Sequence, residues 1–387
     1  MTPMSVGAVF AVALCNMVGM RASKVGVALF GLALGANPLQ IGVLVALYSL
    51  FPMLLALHLG RFSDRFGMRV PMLCGSLGMA GGMAVPWLSP TLPGLYVSAA
   101  AIGASHIFYH VSIQSLVGQL SSPENRARNF TSYALILSAG GFIGPLAAGF
   151  GIDAFGHERA YLALMVIPLL SVLMLARSGK TLPAPKVSAE AASARNATDL
   201  WRLRDLRRVF LTSALILSGI DLYQFYLPIY GRSIGLSASV IGIVLSMFSA
   251  AAFLVRSVMP PLVRRLGEEG LLRYTLAVAA LGFLVLPLMG NAWLLGAISF
   301  LVGLGLGCGQ PVSTILVYAR SPEGRSGEAL GLRIAVNNFI HLAVPLAFGI
   351  VGTALGVAPV FVANAVMLAS GSYLSRAGPA ERSPELR

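Results

Sequence analysis

Five charged side chains, Arg21, Lys24, Asp221, Arg256 and Arg333, stand inside long apolar runs of this sequence. At bilayer depth an ionised group costs about 2.5–3.5 kcal/mol, so such residues face a partner or a water-filled cavity. Ion pairing, proton handling and capture of a charged solute are the chemistries open to them. Asp221 is the single acid set deep in a run, and Arg21 occupies the matching place about 200 residues earlier. A pair between them is therefore expected, with Lys24 one turn beyond Arg21. A carboxyl in apolar surroundings keeps its proton unless a cation faces it, so Asp221 would take up a proton whenever its partner left. A permanent structural ion pair is the alternative.

Uncharged polar residues extend these positions into faces. Arg333, Asn337, Asn338 and His341 follow at spacings of four, five and eight, which puts a polar stripe on one side of a helix. His106, Tyr109, His110 and Gln114 make a second such face, and Gln310 matches His110 in the other part of the chain. Tyr223, Gln224 and Tyr226 cluster around Asp221 in the sequence and suit a partly apolar solute, or else packing. With three or four cations against one acid, the chamber they would line favours an anionic or carboxylate-bearing solute. His106 and His110 have metal-ligand spacing, but chelation would need a third ligand such as Cys308 or Met20, so no bound metal is expected.

Positioning falls to helices in lipid. The 387 residues are 57% hydrophobic and only 11% charged, where a soluble domain carries roughly 25% charge, which excludes an ordinary water-soluble fold. Spanning strands would show alternating segments of about ten residues, and none are found. Hydropathy breaks place spans near 6–34, 38–59, 71–89, 92–118, 129–152, 159–176, 209–231, 238–262, 271–289, 292–318, 327–352 and 356–375. The fold class is thus an all-α membrane protein of 12 transmembrane helices, in an N-terminal six-helix half (1–176), a linker (177–208) and a C-terminal six-helix half (209–387). The linker ends in Arg202, Arg204, Arg207 and Arg208, beside Trp201 as interfacial anchor.

The net charge of +13 is distributed by side, not massed for nucleic acid. With cytoplasmic termini, 21 of the 27 Lys and Arg lie on that face and only Arg159 and Arg232 on the other. The start, Met1-Thr2-Pro3-Met4-Ser5, lacks a basic leader and reads as a retained first span. Cys15, Cys74 and Cys308 are far apart within spans and read as packing residues.

The halves repeat at an offset near 200. Leu34-Gly35 and Ile41-Gly42 match Ile234-Gly235 and Ile241-Gly242, Ile102-Gly103 matches Val302-Gly303, and Pro145 matches Pro345. Ser122-Pro123-Glu124-Asn125-Arg126 matches Ser321-Pro322-Glu323-Gly324-Arg325. Parallel repeats of this kind build carriers that hold a solute near midplane.

Between spans two and three stand Gly60, Asp64, Arg65, Gly67 and Arg69, in the pattern G-x-x-x-D-R-x-G followed by two positions, of which the first is Met68 instead of a basic residue and the second is the basic Arg69. Here the chain resembles the major facilitator superfamily, and with the repeat the resemblance covers nearly its whole length. It implies a cytoplasmic gating latch at these five residues, degenerate at the matching Pro260-Pro261-Leu262-Val263-Arg264-Arg265-Leu266-Gly267. Span five carries Gly140, Gly144, Pro145 and Gly149, similar to the helix-kink motif of the family's proton antiporters, though Ala148 replaces one Gly. No Arg stands near Ala99, where antiporters of the family often have one, which weakens the implication of proton-driven drug efflux.

The resemblance implies a secondary carrier in a bacterial inner membrane, working by alternating access as a monomer, with a small organic solute and protons as partners. Efflux is the first expectation, uptake of an organic anion the second and carriage of a transition metal a third. No phosphate loop, nucleophile elbow or paired acid and His speaks for an enzyme, and no cofactor is implied. A sensor would carry a sizeable output domain, which the short tail after Leu374 does not provide.

Overall fold

Lipid offers no partner for a bare amide, so each crossing segment must close its own hydrogen bonds. The computed structural model describes residues 6–66, 68–121, 125–177, 198–322 and 325–375, and among them helices are the only regular elements. The first set comprises α1 (Val6–Ala33), α2 (Pro38–Phe66), α3 (Arg69–Leu88), α4 (Leu92–Gln119), α5 (Arg126–Phe155) and α6 (His157–Arg177). After the short α7 (Thr198–Arg202) come α8 (Arg204–Ser233), α9 (Ala238–Ser257), α10 (Met259–Val285), α11 (Ala292–Gly307), α12 (Gly309–Arg320), α13 (Ser326–Leu355) and α14 (Val357–Leu374). Nine helices among the described residues are long and apolar enough to cross a membrane, with α11 and α12 counted as one. The chain is therefore a multi-pass membrane protein.

Turn chemistry at the repeated glycines shows why the offset recurs. Gly35 and Gly235 have φ of +82° and +80°, which costs a glycine little and any other residue much. In each case the next residue reaches back five places: Ala36 N–H to Gly31 O (2.9 Å) and Leu236 N–H to Gly231 O (2.9 Å). This is a Schellman stop. The following helix then starts on a cap. Asn37 and Gln40 cap each other reciprocally (2.8 and 2.9 Å), and the Ser237 hydroxyl accepts from Val240 N–H (3.4 Å).

Packing repeats as well. In the first set α1 packs on α5, α2 on α4 and α3 on α6; at the same offset α8 packs on α13, α9 on α11 and α10 on α14. The two sets meet along α5 with α9, α2 with α13 and α1 with α8. That interface obeys the same offset: Gly42 lies against the Pro345 carbonyl and Gly349, while Gly242 lies against the Pro145 carbonyl and Gly149. Only a missing side chain allows backbones so close.

The proline in each kinked helix frees a carbonyl four residues earlier. Neighbouring helices supply the donors. The Ser98 hydroxyl donates to Gly82 O (2.7 Å), freed by Pro86, and the Ser249 hydroxyl donates to Gly141 O (2.9 Å), freed by Pro145.

Three boundaries differ from the sequence expectation. The tenth crossing is broken at Cys308 between α11 and α12, ahead of Pro311. The eighth ends at Ser257 instead of running to 262, because Pro260 and Pro261 open α10, where a proline's missing N–H costs nothing. The stretch containing Gly60, Asp64 and Arg65, expected as a loop, continues α2 as helix to Phe66. Gly67 and the side chains of residues 55–66 lie outside the described residues, as does most of the linker.

Candidate functional site

The charged residues converge where α1 meets α8. Gly144 of α5 sits against the Arg21 Cβ and the α1 backbone at Val18 and Ala22, so α5 presses directly on the root of the Arg21 side chain. Gly140 does the same at Met17, and Gly149 turns to Ala238 and Ser239 of α9. The residues expected to kink α5 thus divide between two partners: Gly140 and Gly144 seat α1, Gly149 seats the other set.

From that root Arg21 crosses the interface. Its guanidinium donates to Gln224 Oε1 of α8 at 3.0 Å. The expected direct pair with Asp221 does not form, since no ion pair joins them among the described residues. Asp221 turns instead to α13, where its Oδ2 shares a 2.6 Å hydrogen bond with His341 Nδ1. Gln224 lies three residues beyond Asp221 on the same face of α8, so the two contacts are neighbours. Lys24 places its ammonium 5.6 Å from the centre of the Tyr48 ring and has no carboxylate within salt-bridge distance among the described residues.

Along α13 the stripe continues one turn at a time. Arg333, buried, donates to both the backbone and side-chain oxygens of Gln310 (3.1 and 2.8 Å). Asn337 donates to the same Gln310 Oε1 (3.2 Å) and accepts from the Ser213 hydroxyl (3.4 Å). Gln310 closes the ring by donating to Ser213 O (3.1 Å). Asn338 stays outside this ring. The Arg333 charge is thereby bound to a neutral amide, not left for a solute.

On α4 the His106 and His110 rings stand 5.3 Å apart, and His110 Nε2 lies 3.2 Å from the Gln114 amide. Gln114 is exposed, whereas His106 Nδ1 is buried without a partner. Cys308, suggested as a third metal ligand, points its thiol at Val255 O (3.4 Å) and does not join them.

Three tyrosines are placed elsewhere than expected. Tyr223 is fully buried, stacks on Phe248 (4.6 Å) and donates to Val244 O (3.1 Å). Tyr226 is likewise buried and donates to Phe348 O. At about 100° per residue, positions 223 and 226 point well away from 221, while 224 does not. Tyr109 belongs to the apolar cluster of Val12, Met72 and Ile113. Of the latch residues, Arg69 reaches the Ala176 carbonyl of α6 (3.1 Å), which ties the start of α3 to the end of α6.

Two contacts that the sequence reading missed close one end of the interface. Asp153 at the end of α5 accepts from the first backbone N–H groups of α9, Ala238 (3.1 Å) and Ser239 (2.8 Å). Its offset partner Thr353 accepts from Leu39 N–H of α2 (3.0 Å). Pro38 has no N–H, so the second cap has one bond where the first has two. The offset itself, 153 to 353, was the available signal.

The Major Facilitator Superfamily family model matches residues 9–345, and again 232–385. The class C tetracycline resistance protein of Escherichia coli is 27% identical over 321 residues, 79% of this chain and 78% of that one. Multidrug resistance protein MdtG of Proteus mirabilis is 24% identical over 336 residues, 84% and 82% of the two chains. A solved structure of peptide transporter POT superposes with a TM-score of 0.81 at 15% identity, covering 97% of this chain and 94% of that one.

Proposed function

The chain belongs to the Major Facilitator Superfamily, and from that premise we propose that it is a proton-coupled carrier exporting small organic solutes across a bacterial inner membrane. The reading includes twelve spans in two six-helix halves (1–176 and 209–387) joined by the linker 177–208, with cytoplasmic termini and a monomeric unit. The names of the resistance proteins it resembles support efflux.

One observation carries the mechanism: the cation of α1 and the acid of α8 each rest on an exchangeable partner at the interface, Arg21 on Gln224 and Asp221 on His341. An anionic group of the solute replaces the weaker amide partner of Arg21 and takes the neighbouring ammonium of Lys24. A donor or cationic group of the same solute competes with the proton for Asp221, and this competition makes the exchange an antiport. Rocking of the halves about this level then exposes the chamber to one side or the other. The twin caps at Asp153 and Thr353 hold shut the end where α1 turns into α2 and α8 into α9, the short-loop end, while the opposite end, which carries the termini, receives solute.

Lys24 beside Arg21, with no carboxylate partner among the described residues, favours a second reading, uptake of an organic anion. There an added proton strengthens anion binding and coupling becomes symport. Purified protein in vesicles with an imposed pH gradient separates the two by sign: export runs solute against the proton flux, uptake runs it along. In either case Asp221→Asn is expected to abolish the pH dependence of transport, and unchanged pH dependence overturns the coupling assignment.

A further inference from the structure

Among the carbonyls freed by prolines, Gly307 O stands apart. Pro311 has no N–H to return to it, and the helix breaks there between α11 and α12. At Gly82 and Gly141 a serine hydroxyl from the neighbouring helix fills the vacancy. At Gly307 the donor is a guanidinium: Arg256 Nε of α9 lies 2.9 Å from the oxygen. A hydroxyl would meet the carbonyl's need without bringing a charge into lipid, so the cation has further work. Its Nη1 extends across the interface to the Ser138 hydroxyl of α5, also at 2.9 Å. Ser138 in turn is anchored to its own helix through Ala134 O (3.1 Å).

The carbonyl that Arg256 holds lies three residues before Gln310, the residue that holds Arg333 and Asn337. The repeat has no copy of the device: at the offset position of Arg256 stands Ala56, and at that of Pro311 stands Val111. The tether is a one-sided addition to an otherwise symmetric interface.

We propose that Arg256 is a positioning residue that ties the α11–α12 break, and with it Gln310, to α5 of the opposite half in the arrangement with the short-loop end shut. One arm fixes the geometry of the break; the other registers it against the first half. The proposal rests on the alternating-access reading.

The arms are separable. Arg256→Gln strips both and is expected to lower the melting temperature and speed amide exchange in 303–316. Adding Pro311→Ala gives Gly307 O a backbone donor, so exchange in this segment should return to the wild-type rate. Ser138→Ala cuts only the interface arm and should leave the break protected. Spin labels on non-native ketone side chains at positions 135 and 254, both exposed, keep Cys308 intact and report the distance between α5 and α9. Ser138→Ala and the Arg256→Gln/Pro311→Ala double variant should each depopulate the wild-type distance about tenfold, the scale of one hydrogen bond to a charged group. Pro311→Ala alone should not. A distance distribution indifferent to Ser138→Ala overturns the tether, and failure of Pro311→Ala to restore slow exchange overturns the carbonyl assignment. If labels across the short-loop end show one rigid arrangement under every pH and solute tried, alternating access itself fails, which is a different result.

Discussion

Asp153→Ala tests how the short-loop end stays shut. The carboxylate accepts from two backbone N–H groups at the start of α9, at 3.1 and 2.8 Å, and no other side chain among the described residues serves them. Removing an acceptor at a helix start costs about 1 kcal/mol, and loss of a negative charge from the positive end of the helix dipole adds about 0.3–1 kcal/mol. Asp153 is exposed, so the lower part of each range applies and the sum is about 1–1.5 kcal/mol. The closed arrangement should therefore lose roughly five- to tenfold in population relative to the open one. Thr353→Val removes a single neutral bond across the seam, to Leu39, together with the hydroxyl's own bond to Gly349 O within α13, and should shift the balance less, about two- to fivefold. Spin labels at positions 155 and 233, both exposed and on opposite sides of this seam, read the two populations directly. An unchanged distribution in Asp153→Ala refutes the cap as a gate. A Thr353→Val effect equal to or larger than that of Asp153→Ala refutes the charge argument, even if both open the seam.

Other substitutions probe the same geometry. Gly42→Ala and Gly242→Ala each place a methyl against a proline carbonyl of the other helix set, Pro345 and Pro145, so both should favour the open short-loop end in the same label pair. Tyr223→Phe loses a buried hydrogen bond to Val244 O and should lower stability by about 0.5–1.5 kcal/mol, read as melting temperature, while transport per folded molecule stays at the wild-type rate. Gln310→Glu gives buried Arg333 a carboxylate partner; it should raise the melting temperature and leave the pH dependence proposed for Asp221 in place in vesicle assays.

Much of the architecture could be read from residues with a local job. Gly35 and Gly235 stop helices by a backbone conformation that the chain enforces within six residues, so their recurrence announces the repeat. The polar stripe of α13 was equally legible, because Arg333, Asn337 and His341 differ by four and a helix stacks them whatever surrounds it. Their partners were not legible. Gln310, Ser213 and Asp221 come from two other helices, and which amide meets which charge depends on packing that hydropathy does not encode. Tyr223 and Tyr226 fail differently: neighbours of Asp221 in sequence, they point elsewhere on the helix, which periodicity alone could have told.

The least legible feature was the division of labour among the membrane-buried cations. All four are arginines or lysines in apolar runs, yet each has a different acceptor: a side-chain amide across the interface for Arg21, an aromatic face for Lys24, a glutamine's two oxygens for Arg333, a proline-freed carbonyl for Arg256. Composition counts these as equal positive charges and so overstates the field a solute meets. Arg333 and Arg256 are bound by oxygens that hold the helices in place, and their removal should damage structure before selectivity. Among the described residues Arg21 has one neutral acceptor and Lys24 only a ring, both replaceable by a solute at little cost. Anion selectivity should therefore follow Lys24→Met and Arg21→Gln far more closely than Arg333→Gln. A panel of charged and neutral solutes, assayed in vesicles and normalised to folded protein, decides it: equal loss of discrimination in all three variants would refute this partition.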